Sequence, residues 1–101
     1  MTDYITDGYQ VIENHNGHIM MTKVTGSGCS PTAITAACLA VETNNLAASA
    51  HAMALIGIAG DIATQHAKGP GSLQMALLDT LYLLNEDQII NHANIQLKEE
   101  L

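Results

Sequence analysis

The 101-residue chain has no arginine, no phenylalanine and no tryptophan, and its only basic side chains besides five histidines are Lys23, Lys68 and Lys98. Against ten acidic residues those lysines leave a formal net charge of −7. Nucleic-acid binders draw most of their affinity from Lys and Arg on phosphates, so the composition argues against that class. An anionic membrane surface is disfavoured for the same reason. A phosphorylated ligand stays open, because backbone N–H groups and a metal ion can supply a positive field without basic side chains.

Cysteine is nearly as scarce. Cys29 and Cys38 are predicted to lie on one helix, where nine residues give about 13.5 Å of rise, too far for a disulfide. Two free thiols fit a reducing cytoplasm. The opening "MTDYITDGYQ" has no basic region and does not read as a signal peptide. The longest apolar run, 52–60, stops at Asp61, short of a membrane span. Without Phe or Trp, the 48% apolar content rests mainly on Ala, Leu, Ile and Met. Helices built from these pack thinly and bury little area per residue. The chain reads as one unit over 1–101 with a modest core, not self-sufficient as a monomer.

Local patterns order the elements. "DYI" (3–5) and "YQVIEN" (9–14) alternate apolar and polar around "TDG", a hairpin signal. "HNGH" reads as a second turn and "IMMTKV" (19–24) as a third strand. From Ser30 the period becomes helical, with Ile34, Ala37, Cys38 and Val41 on one stripe and Pro31 in the first turn. A long apolar helix is predicted over about 46–67. Gly57 and Gly60 inside it imply close approach of another backbone, since each costs about 1 kcal/mol in a helix interior. "KGPGS" (68–72) breaks that helix and Ser72 is expected to cap the next, which carries Leu73, Leu77, Leu78, Leu81 and Leu84. Asn85 with Gln88 forms a capping box for a last helix with Ile90, Ala93, Leu97 and Leu101 on one side. "LKEEL" reads as its solvated face.

The run "VTGSGCSP" (24–31) holds the chemistry. A strand, two glycines and a helix start form a concavity of N–H groups beside a partial positive charge, suited to an anion. The spacing is not that of a Walker A loop, and on this motif alone a tight turn is as good a reading. Cys29 sits where thiols are commonly reactive, although most cysteines are simply buried; Cys38 is read as core. The histidines His15, His18, His51, His66 and His92 lack metal-ligand spacing, His51 and His66 lying about 22 Å apart on one helix. Asp61 is either paired within the body or solvent-facing.

Taken together, "DYITDG…NGHIMMTKVTGSGCSPTAITAACLAV" and "GPGSLQMALLDTLYLL" resemble the C-terminal part of the hydroxyethylthiazole kinases, thiamin-salvage members of the ribokinase-like superfamily. The resemblance implies an α/β layered fold, here short strands followed by a helical layer. It implies ATP-dependent phosphorylation, with Mg²⁺, of the hydroxyl of 4-methyl-5-(2-hydroxyethyl)thiazole. It places Gly26 against the substrate and makes Gly26, Ser27, Gly28 and Cys29 the anion hole. Cys29 stands where most ribokinase-like enzymes carry a general-base Asp. The resemblance further implies a trimer with active sites between subunits, and it adds a third reading for Asp61, on a helix near the nucleotide. Family members are more than twice this length, so the isolated chain is expected not to catalyse and to need a complementary N-terminal half or a homo-oligomer. Two further readings are a hydroxymethylpyrimidine-type kinase, which Cys29 argues against, and a non-catalytic acidic helical assembly module.

Overall fold

The computed structural model describes residues 2–24 and 29–100. Two strands open the chain, β1 (Asp3–Thr6) and β2 (Gln10–Asn14). They pair antiparallel, with Ile5 opposite Ile12 and Tyr4 opposite Glu13. The Asp-Gly signal marks their turn: Asp7 Oδ1 accepts from the N–H groups of Tyr9 and Gln10, at 2.9 Å each. Those two donors hold the exposed Asp7 carboxyl below its ordinary value, the Gln10 N–H contributing most.

Residues 19–24 do not form the expected third strand. Ile19–Lys23 is a 3₁₀ helix, started by His18, whose Nδ1 accepts from Met20 N–H at 3.0 Å. Met20 and Met21 both pack on the cluster of Val24, Ala59, Ala63, Leu73 and Leu77. Consecutive residues on a strand point to opposite faces, so a strand would have left one of these methionines outside.

Four helices follow: α1 (Cys29–Val41), α2 (Asn45–Thr64), α3 (Pro70–Leu83) and α4 (Glu86–His92). Asn44 caps α2, its Oδ1 accepting from Ala47 N–H at 3.1 Å. The α3 start differs from expectation. Gly69 is the cap position, and Ser72, inside the first turn, reaches back so that its Oγ accepts from Lys68 and Gly69 N–H at 2.9 and 3.2 Å. The capping box at α4 forms, Asn85 Oδ1 accepting from Gln88 N–H and Gln88 Oε1 from Asn85 N–H. That helix ends at His92 rather than running on to Leu101. Ile95–Glu100 is strand β3, antiparallel to β2, giving the sheet order β1-β2-β3. The strands therefore do not all precede the helices: the chain returns to its sheet.

Helix α2 is the centre. It packs on α1, α3 and α4 and against β1 and β2. Its length and composition would suffice to cross a membrane, but 67% of its most apolar window is buried within this fold, as befits a core helix. Glycine makes the central position possible. A Cβ on Gly57 would lie 2.6 Å from the Asn16 carbonyl oxygen, and one on Gly60 would collide with the Met21 side chain. What approaches these glycines is the turn and 3₁₀ segment after β2. Helix α1, by contrast, has no buried residue; Cys38 is only half-buried, not core.

Candidate phosphate-binding site

Gly26, Ser27 and Gly28, the expected anion loop, lie outside the described residues. Both residues that flank the 25–28 segment are described. Val24, just before it, is 7% exposed and wedged into the core cluster with Ala59, Ala63, Leu73 and Leu77. Cys29, just after it, is the first residue of α1 and is exposed, its thiol free. The first turn of α1 contains no acidic residue. Pro31 lies in that turn, where a missing N–H costs no helical bond. Its carbonyl accepts from the Thr35 hydroxyl at 2.7 Å. The first turn of a 13-residue helix has N–H groups without intrahelical acceptors and carries a partial positive charge, the kind of field that suits an anion.

A polar cluster with little local signature in the sequence ties the end of β2 to α2. Asp61, on α2, accepts from Gly17 N–H with Oδ1 at 3.0 Å and Oδ2 at 3.1 Å. Its Oδ2 also accepts from Asn16 Nδ2 at 3.1 Å. The same Nδ2 donates to the His92 carbonyl at 2.7 Å, and Asn16 Oδ1 accepts from Asn94 N–H at 2.7 Å. Asn14, fully buried, donates from Nδ2 to Asp3 Oδ2 at 3.0 Å and to the Met53 carbonyl at 3.3 Å. The end of β2, the middle of α2 and the α4–β3 turn are thus tied together through two buried amides and one carboxylate. Gly17, at φ 125°, takes the left-handed turn that Asn-Gly announced and brings its N–H onto Asp61. Asp61 is paired in the body, the first of the readings open to it. Only the unusual density of Asn in "ENHNGH" hinted at the cluster.

The histidines are spread out. His15 Nδ1 lies 3.1 Å from the Thr2 hydroxyl and Nε2 lies 3.3 Å from Glu13 Oε1; His92 Nδ1 lies 2.9 Å from the Gln88 carbonyl. Glu13 also pairs with Lys98 Nζ at 3.2 Å, linking β2 to β3. Among the described residues no three His, Cys, Asp or Glu side chains are placed to hold a metal ion.

Comparison with protein families matches residues 1–87 to the hydroxyethylthiazole kinase family. The chain belongs to that family. It is similar to the hydroxyethylthiazole kinase of Photobacterium profundum, 51% identical over 100 residues, covering 98% of this chain and 35% of that protein. That of Akkermansia muciniphila is 47% identical over 92 residues, 91% of this chain and 34% of that protein. The solved hydroxyethylthiazole kinase structure from Pyrococcus horikoshii superposes with a TM-score of 0.92 at 39% identity, covering 97% of this chain and 38% of that one. The α/β arrangement of a three-stranded antiparallel sheet with helices is therefore shared with a hydroxyethylthiazole kinase. The chain spans about a third of the length of the curated relatives it matches.

Proposed function

We propose that this chain supplies the phosphoryl-binding end of a kinase that transfers the γ-phosphoryl group of ATP to the hydroxyl of 4-methyl-5-(2-hydroxyethyl)thiazole in the cytoplasm. The observation that carries this reading is the placement of Cys29: an exposed free thiol opening a helix whose first turn bears no acid. Phosphoryl transfer asks for positioning and charge stabilisation more than covalent help, and a helix N-terminus provides both. In this reading Gly26, Ser27 and Gly28 present backbone N–H groups to the transferring phosphoryl group. Gly26 also contacts the thiazole. Cys29 sits beside the attacking oxygen, where its sulfur orients the alcohol or accepts its proton. Mg²⁺, when bound, neutralises phosphate charge. The described residues offer no carboxylate cluster for it, so its ligands come from the nucleotide and from the part of the fold this chain does not span.

The isolated chain does not turn over, because the rest of the pocket belongs to that other part. The site is completed by the upstream part of the fold, with a trimer as the expected assembly. The test is a substrate panel on the chain co-expressed with the upstream portion of the Photobacterium profundum relative. ADP release with the thiazole alcohol but not with hydroxymethylpyrimidine supports the reading. The reverse preference would move the chain to the pyrimidine-type kinases, and no turnover with any alcohol would leave the assembly-module reading in its place.

A further inference from the structure

The sequence holds a single Asn-Gly pair, Asn16–Gly17. Asparagine is a chemically labile side chain, most of all before glycine, whose missing Cβ leaves its backbone nitrogen free to approach the asparagine amide carbon. In that reaction the Gly17 nitrogen would bond to Asn16 Cγ and the Cγ–Nδ2 bond would break. Ammonia leaves, carrying the proton given up by Gly17 N–H. Water, the only co-reactant, then opens the cyclic imide at either carbonyl to leave aspartate or isoaspartate.

In the folded chain every group that must move is held. Gly17 N–H donates to both Asp61 carboxylate oxygens, at 3.0 and 3.1 Å. Asn16 Nδ2 donates to Asp61 Oδ2 at 3.1 Å and to the His92 carbonyl at 2.7 Å, and Oδ1 accepts from Asn94 N–H at 2.7 Å. Turning Cγ toward the Gly17 nitrogen would give up these bonds at a residue only 6% exposed, leaving buried polar groups without partners. The α2 side leaves no slack either, since a Cβ on Gly57 would lie 2.7 Å from Asn16 Cβ.

The product does not fit the place the asparagine leaves. An aspartate at position 16 would set a carboxylate oxygen where Nδ2 now donates, against Asp61 Oδ2 and the His92 carbonyl, with no donor among them. Isoaspartate would in addition lengthen the main chain by one carbon at the tightest point of the turn.

We propose that Asn16–Gly17 is a latent deamidation site held shut by Asp61 and the α4–β3 turn, and that its conversion is a one-way exit from the folded state for chains whose β2–α2 junction opens. The inference is independent of the catalytic reading. Peptide mass spectrometry of the chain incubated at neutral pH tests it, with Asn16→Gln to confirm the position. The unfolded chain in urea should convert at least about tenfold faster than the folded one. Asp61→Ala is compared with Leu73→Ala, which loses core packing but keeps every bond of the latch. With urea added to match their unfolded fractions at a small value, the Asp61 variant should convert about tenfold or more faster. If Asp61→Ala does not fold, Asp61→Asn, of the same size but turning an amide donor toward Asn16 or Gly17, takes its place. Asn16→Asp, the product itself, should unfold at lower urea than the parent. Equal conversion of folded and unfolded chains would overturn the proposal, as would equal rates from the Asp61 and Leu73 variants. So would an Asn16→Asp chain as stable as the parent.

Discussion

Replacing Gly57 with alanine should destabilise the fold even though alanine is the better helix former. On propensity alone the change gains up to about 1 kcal/mol. The structure opposes it: the new Cβ would lie 2.6 Å from the Asn16 carbonyl oxygen, and 2.7 Å from both its carbonyl carbon and its Cβ. Contacts this short require movement, and Asn16 is poorly able to move. It is 6% exposed and bonded through its side chain to Asp61, the His92 carbonyl and Asn94 N–H. Overpacking costs about 1–3 kcal/mol, and one lost or stretched hydrogen bond at a buried amide adds about 1 kcal/mol. After subtracting the propensity gain, the net loss is about 1–3 kcal/mol, or roughly 4–24 °C in Tm for a domain of this size. Far-UV circular dichroism during thermal and urea unfolding measures it. Gly71→Ala, in the first turn of α3 with open space where the Cβ would go, is the matched control and should be neutral or slightly stabilising. A Gly57→Ala chain as stable as the parent would refute the close approach of Asn16 to α2.

Asp61→Ala should cost about 2–3 kcal/mol in urea unfolding, because Gly17 N–H loses its acceptor and Asn16 Nδ2 loses one of two. Leu73→Ala, at a fully buried site, should cost about 2–5 kcal/mol by the same measurement. The hairpin should respond to acid. Because the folded Asp7 carboxyl titrates below its ordinary value of 3.8, its contribution is full above that value and is lost as the pH falls through the lowered one. Amide NMR of Tyr9 and Gln10 should report that loss, and Asp7→Ala should abolish the pH dependence.

How far the sequence exposes this fold varies with the range of the interaction. Asp-Gly and Asn-Gly mark both turns because the conformations at Gly8 and Gly17, φ 92° and 125°, are local demands that glycine meets. Gly57 and Gly60 announce a close approach through their missing Cβ, but the groups that approach, Asn16 and Met21, come from about 40 residues away. The β3 segment misleads because Ile90, Ala93 and Leu97 fit a helical period while Ile95 and Leu97 fit a strand. Pairing with β2 decides between them, and Asn94 tethers the turn by donating to Asn16 Oδ1 and accepting from His15 N–H. Met20 and Met21 read as strand for want of any local sign that both must face α2 and α3. Of the site, Cys29 at the head of α1 follows from local pattern. The roles of Gly26, Ser27 and Gly28 come from resemblance, and the Asp61–Asn16 cluster could be seen only once three distant elements were assembled.

The proposed place of Cys29 in a phosphoryl-transfer site is open to direct experiment. Its most direct test is the formation of thiazole phosphate, followed by mass spectrometry with ATP and Mg²⁺, comparing the chain co-expressed with the upstream portion of a relative against the same complex carrying Cys29→Ala. Product is expected from the unaltered complex, with a rate at least about tenfold lower with Cys29→Ala, consistent with a group acting on the reacting hydroxyl, and with assembly unchanged. Equal rates from the two complexes would contradict it.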